Sequence, residues 1–589
     1  MTDQIMIAAM CVFLSLFLLL LGAGKSRACT TVIVGKRASV TGEILVGHNE
    51  DSDGRYVMWT HVVPPKASAP SVRFEPESAL IPMPGESAGL FWSEARSYRA
   101  SGASFCDFYV NSNGVVICSD SCGPSKEDSP EISDGGVGYG VRRVVAETAK
   151  SACHAVEITT GLIDRYGYIG NGRSYHFADR DEAWVVQVAG GKHYAVKRVP
   201  DDEVYLIPNH FTIRAPSPET PHLAELISYA VGRDWCGLEE ATSDRFDFAR
   251  AYQALGGYRP KRSFHRHLRG LEIILGTTLD PDADLPFSVR PPRKIGVNDI
   301  KKVLRSHFEG TADDISSSTP WGTPHAMETR AICDESTLES NIVQIRDDPS
   351  AILIRRAFGK PCLSPYTPWY PGMTRVPEGF EGGGHEYALS THFSSPASDF
   401  DYSLTPGWRA HVDLQTAIEL LYPESAADVR KRVTEFEKAI ETRIAEFEDS
   451  PARRACDDFV ATAVSESLSL IARLYENLGI ASPKFVGIET PYEFDADKFE
   501  RPVTVRVESR FAPENVVLER TILGIAHIPL SGWSRAQKCR RAGDSLEITF
   551  NFAADWADDI VPCACDMWLL LIDDAGARVV GKIPVTFKY

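Results

Sequence analysis

Apolar and polar positions along the 589-residue chain change period several times, and each change marks an element. Thr30 to Gly35 and Glu43 to Gly47 are short apolar, β-branched runs separated by Thr41-Gly42, which predicts a hairpin. Tyr109 to Cys118 repeats the pattern around Asn113-Gly114, a second hairpin. Helical spacing follows over Tyr139–Ala149 and Ala155–Tyr166. Strands are expected at Ser174–Ala178, Glu182–Val188, His193–Val199 and Val204–Phe211, the last ending on Asn209-His210. A short helix is predicted from Val297 to Phe308, and Pro/Gly-rich loops over Pro361–Tyr370 and Glu381–His385. From Val412 to Leu478 the period is helical, and within the charged run Asp428–Glu448 the residues Val433, Phe436, Ile440, Ile444 and Phe447 form an apolar stripe. After Pro483 the text alternates again, at Thr504–Glu508, Ser545–Phe552 and Val580–Phe587, as in an all-β sandwich.

Composition narrows the partners. A hydrophobic content of 43% is that of a globular protein, and a formal net charge of −18 argues against a nucleic-acid or anionic-lipid surface. The 13 cysteines are scattered without short spacings, so neither a zinc module nor a dense disulfide scaffold is implied, and no metal or cofactor is expected. Cys118 with Cys122, and Cys563 with Cys565, read as packed thiols or ordinary bridges.

The apolar run Ile5–Leu21 matches the h-region of an export signal, and Ser26 and Ala28 are small residues where a signal peptidase cuts. Asp3 without a preceding Lys or Arg, followed by Lys25 and Arg27 after the run, is the charge order of an uncleaved anchor. The chain is therefore expected to be secreted or otherwise exported, periplasmic or lumenal, with membrane contact only if the apolar segment stays attached. A homo-oligomer is compatible with the sequence.

A cut after Ala28 would make Cys29 the first residue. Such a cysteine carries a thiol nucleophile and an α-amine of ordinary pKa about 7.7–8.0 that can serve as its base. The alternative is that Cys29 is simply the first buried cysteine of a strand. In Gly47-His48-Asn49-Glu50-Asp51-Ser52-Asp53 the crowded carboxylates fit a solvated turn or a calcium loop. They also fit a hairpin end that returns Asp51 to the Cys29 amine. Asn209 is either a turn residue or a donor to an oxyanion. The Arg- and His-rich stretch from Asp244 to Leu275 is either a solvated face or a receiver for a substrate carboxylate.

Set side by side, these segments resemble the dipeptidase-A/secernin family of cysteine peptidases, within the N-terminal nucleophile hydrolase superfamily. Cys29-Thr30-Thr31-Val32-Ile33-Val34-Gly35 is similar to the family's opening, and Gly47-His48-Asn49-Glu50-Asp51-Ser52 to its second motif. Glu182–Val186 with Pro208-Asn209-His210-Phe211, then Arg245-Phe246-Asp247-Phe248-Ala249, complete the series. Two positions depart from the family's pattern: His48 stands where Arg is usual, and Ser119-Asp120 where an Asn-Glu pair is common.

The resemblance implies an α+β fold, a four-layer αββα sandwich over residues 29–410, after a signal peptide at 1–28. A helical extension at 411–482 and a β-sandwich-like domain at 500–589 would follow. Carried over, Cys29 is nucleophile and base, Asp51 holds the amine, Asn209 helps form the oxyanion hole, and Arg245 positions the thiol or the substrate. The expected function is a cysteine dipeptidase acting on dipeptides or short peptides. The alternatives are an acylase for a non-peptide amide and a non-catalytic anchored binding protein on the same scaffold.

Overall fold

The computed structural model describes residues 29–52, 56–67, 71–74, 77–97, 108–218, 220–254, 261–315, 322–325, 330–393, 405–422, 425–449, 456–478, 492–495, 503–508, 511–525, 533–552 and 563–588. The segment expected to be an export signal, Ile5–Leu21, and the expected cut after Ala28 lie outside the described residues. Within them, no helix is long and apolar enough to cross a membrane.

The expected first hairpin is strand β1 (Thr30–Val34) against strand β2 (Leu45–Asp51), antiparallel with Thr30 opposite Asn49 and Val34 opposite Leu45. It forms the middle of a seven-stranded sheet, flanked by Val204–Ile207 beyond β1 and Thr337–Gln344 beyond β2. A second seven-stranded antiparallel sheet runs from His193–Arg198 through Val116–Ser121 to Tyr56–Val63. The structure is thus mixed α/β with several antiparallel sheets.

Strand parity decides what covers each face. Val32, Val34 and Leu45 on one face of the first sheet pack with Leu271 and Ile274 of helix Lys261–Leu275 and with Ile300, Val303 and Leu304 of helix Val297–Leu304. The alternate residues Ile33 and Val46 join a core shared with Val57, Phe91, Val110 and Val185 of the second sheet. That sheet's other face, with Trp92, Ile117, Phe177 and Val186, packs against helices Val141–Thr148 and Ala152–Tyr166.

The charged run expected to be helical lies in Ala426–Glu448, whose Val433, Ile440 and Ile444 are buried, between helices Pro406–Leu420 and Cys456–Asn477. The C-terminal strands form one further seven-stranded sheet, antiparallel except where Tyr492–Asp495 runs parallel to Arg578–Lys588. This sheet docks on helix Pro406–Leu420 through charge: Arg409 meets Asp566, and Lys582 lies 3.6 Å from Asp413 and 3.3 Å from Asp566. Cys118 and Cys122 are buried thiols, not partners in a disulfide.

Gly47 in β2 is a point of close approach. A Cβ there would stand 2.5 Å from Ile300 Cγ2 and 3.2 Å from Leu304 Cδ1, so only hydrogen lets the helix settle on the sheet. Gly47→Ala is expected to lower unfolding stability by about 1–3 kcal/mol through overpacking, read as a shift of the denaturation midpoint. An unchanged midpoint would show that the helix can shift freely.

Candidate functional site

Cys29 stands just before β1, only 4% exposed. Hairpin register carries the end of β2 past it, and the Cys29 Sγ–H donates to Glu50 Oε1 at 3.0 Å. The Asp51 carbonyl oxygen lies 3.8 Å from the same sulfur. From Glu50 a file of polar groups continues inward: Glu50 Oε2 is 3.1 Å from His48 Nε2, and His48 Nδ1 is 2.8 Å from Thr31 Oγ1. Thr31 donates to Asp120 Oδ2 at 2.6 Å.

Proton counting fixes the state of this file. A threonine hydroxyl has one hydrogen, and Asp120 receives it, so His48 Nδ1 must donate to Thr31. His48 Nε2 faces a carboxylate and donates as well, which makes the ring an imidazolium. Burial alone would lower the His48 pKa, but its hydrogen bond and attraction to Glu50, with Asp120 and Glu339 behind, leave it raised. Burial lifts Asp120 to about 6, against the pull of the His48 charge and the Thr31 hydrogen bond. His176 Nδ1 lies 3.2 Å from Asp120, yet burial and then the His48 and Arg173 charges drive it well below its ordinary value, so it stays neutral.

A second set of groups clamps the backbone. Arg266, on helix Lys261–Leu275, donates through Nη1 to the Cys29 carbonyl and to Thr30 Oγ1, each at 3.1 Å, and through Nη2 to Asn209 Oδ1 at 2.7 Å. Asn209 in turn donates Nδ2 to the Ser121 carbonyl at 2.8 Å. Its φ of 66° is the left-handed region, which non-glycine residues occupy at a cost, and both ends of its amide are pinned there. Burial lowers the Arg266 guanidinium to about 10, with Asp51 and Asp334 opposing. The Asp51 carboxylate is fully buried and has no hydrogen-bond donor among the described residues. Burial, then the charge of Asp334, pushes its pKa well up, with Thr337 and Arg266 pulling the other way.

Of the residues singled out in the sequence, Cys29, Asp51 and Asn209 therefore meet. Arg245 does not: it is exposed, on a turn where its N–H donates to the Thr242 carbonyl, ahead of the short helix Phe248–Tyr252. The guanidinium at Cys29 is that of Arg266, which helix Lys261–Leu275 carries on its buried side. The signal for it was present, since Arg266 is three residues after Ser263 and four and eight before Gly270 and Ile274, on one helical stripe.

Two groups of side chains among the described residues have metal-ligand chemistry: Cys29, His48 and Glu50, and His307, His325, Cys333 and Cys362, the ligand atoms within each lying within 4.8 Å of one another. In the first group the donors and acceptors close on one another through the file just described.

Residues 28–395 match the family model described as Peptidase family C69. The chain is 26% identical over 401 residues to a probable dipeptidase of Salmonella dublin, covering 65% of this chain and 90% of that protein. It is 26% identical over 386 residues to dipeptidase A of Lactobacillus helveticus, with 61% and 78% covered. It is 27% identical over 401 residues to a dipeptidase of Bifidobacterium longum, with 59% and 72% covered. The matched region holds β1, β2, Asn209 and Arg266 together, and by this match the chain belongs to peptidase family C69.

Proposed function

We propose that the protein is an exported cysteine dipeptidase of the N-terminal nucleophile type, cut after Ala28, with Cys29 as nucleophile. The catalytic unit on this reading is the αββα sandwich of residues 29–410. Residues 411–482 extend it with helices, and 500–589 belong to a separate β domain whose described strands share one sheet, in place of the expected sandwich. The observation that carries the reading is the convergence on Cys29: Glu50 takes the thiol hydrogen bond at 3.0 Å while Arg266 holds the residue's own carbonyl at 3.1 Å.

In the reaction the freed Cys29 α-amine takes the thiol proton. The thiolate attacks the scissile carbonyl, forming a C–S bond and an oxyanion that amide donors near Asn209 stabilise. The leaving amine departs with the proton held by the Cys29 ammonium, and water, deprotonated by the same amine, then releases the acyl group. The buried Asp51 carboxylate supports this assignment. Arg266 already acts on it, and the α-ammonium of a mature Cys29 would add a second positive charge beside it. The imidazolium of His48 stands in for the usual arginine by keeping positive charge next to Glu50.

Mass spectrometry of the exported protein is expected to find Cys29 at the N-terminus, and Cys29→Ala to lower dipeptide hydrolysis by ~10³-fold or more; a mature chain starting elsewhere overturns the mechanism. Preference for N-acyl amino acids over dipeptides would reassign it as an acylase. Arg266→Lys is expected to cut kcat by about 10²-fold, because the thiol-bearing backbone loses its clamp, while Arg245→Ala stays within about twofold, as for a surface change. Equal losses in both would contradict the geometry.

The pH profile follows from Asp120. Its carboxyl is ionised above about 6 and protonated below, where Thr31 loses its acceptor and His48 part of its charge support. Then kcat/KM falls as pH drops through about 6. Asp120→Asn, neutral throughout, is expected to remove that acidic limb; a limb that persists would place the titrating group elsewhere.

A further inference from the structure

Apart from the thiol site, the fold gathers a second chemical cluster that peptide hydrolysis does not use. His307 follows helix Val297–Leu304, His325 lies at a turn, Cys333 precedes strand Thr337–Gln344, and Cys362 follows strand Leu353–Phe358. All four are buried, and their ligand atoms lie within 4.8 Å of one another. Neither cysteine is in a disulfide.

Both imidazoles are presented in the same way. His307 Nδ1 is 2.9 Å from Glu309 Oε1, while its Nε2 is buried with no hydrogen-bond partner. His325 Nδ1 meets the Glu419 carboxylate and is 3.1 Å from Thr323 Oγ1, while its Nε2 lies 3.1 Å from Cys362 Sγ. A carboxylate on one ring nitrogen fixes the tautomer and leaves the other nitrogen's lone pair free to ligate, the arrangement that supports histidine ligands of zinc. A metal at that point would satisfy the buried His307 Nε2.

We propose that His307 Nε2, His325 Nε2, Cys333 Sγ and Cys362 Sγ bind one zinc ion in a closed, structural site. Zinc takes thiolate and imidazole ligands tetrahedrally at about 2.3 and 2.0–2.1 Å, which puts neighbouring ligand atoms roughly 3.3–3.8 Å apart. A cluster whose ligand atoms fall within 4.8 Å reaches that spacing with small side-chain adjustments. On loading, every proton carried on the two sulfurs and the two Nε2 atoms goes to solvent, leaving two neutral imidazoles and two thiolates that balance the dication. With four protein ligands there is no open position for water, so the ion holds structure instead of reacting.

What it holds is the floor of the thiol site. Asn49 of β2, between His48 and Glu50, donates Nδ2 to the Leu304 and Ile332 carbonyls, each at 2.9 Å. Those carbonyls begin the segments leading to His307 and Cys333. Asp334, the residue after Cys333, supplies the charge that acts on Asp51. The sequence expectation of no metal came from the lack of short Cys/His spacings, and these ligands are brought together only by the tertiary fold.

The test is metal analysis of the full-length purified protein after expression with added zinc. About one zinc per chain is expected, with Cys29→Ser retaining it and Cys333→Ser losing it. Cobalt exchanged into the wild-type protein is expected to give tetrahedral d–d bands and a thiolate-to-cobalt charge-transfer band. That spectrum decides the matter should the cysteine variant fail to fold. Glu309→Gln is expected to weaken zinc binding about 10–100-fold through loss of its hold on His307. Folded wild-type protein that takes up neither metal, a Cys333–Cys362 disulfide in the peptide map, or zinc that is lost in Cys29→Ser and kept in Cys333→Ser would each overturn the proposal.

Discussion

The Glu50 carboxylate, shared between the Cys29 thiol and the His48 ring, is the contact on which the rest of the site depends. A buried carboxylate keeps its charge only beside a partner, and here the partner is an imidazolium that needs a second anion in turn. That need runs through Thr31 to Asp120, across to the second sheet. The two sheets are therefore joined at this level by alternating charge as well as by apolar packing. Asp51, one residue further along β2, is outside this file, and the cation that acts on its buried carboxylate is Arg266.

Much of this was legible in the sequence because it is local. The apolar alternation of Thr30–Val34, the turn at Thr41-Gly42 and the second run place Cys29 beside Glu50 and Asp51 with no information from elsewhere. The helices at Val141–Thr148 and Ala152–Tyr166 followed from period in the same way. The expected helix Val297–Phe308 ends earlier, at Leu304, because His307 turns back onto Glu309 and Phe308 adopts a φ of 64°.

What was hidden is tertiary. Arg245 belongs to the matching motif, but a motif does not say which way a turn faces, and the guanidinium that reaches Cys29 comes from helix Lys261–Leu275. The His307–His325–Cys333–Cys362 cluster likewise has no spacing to betray it, since its members come from four separate segments.

Helix Pro406–Leu420 works on two fronts. One side reaches into the matched family region: Gln415 donates to the Phe358 carbonyl, His411 is 2.8 Å from Ser364 Oγ, and Glu419 meets His325. The other side, with Arg409 and Asp413, is neutralised by Asp566 and Lys582 of the C-terminal sheet. The helix thus couples the two regions: without the C-terminal strands, Arg409 and Asp413 would lose the Asp566 and Lys582 charges that face them, on an element whose other side holds Phe358, Ser364 and His325.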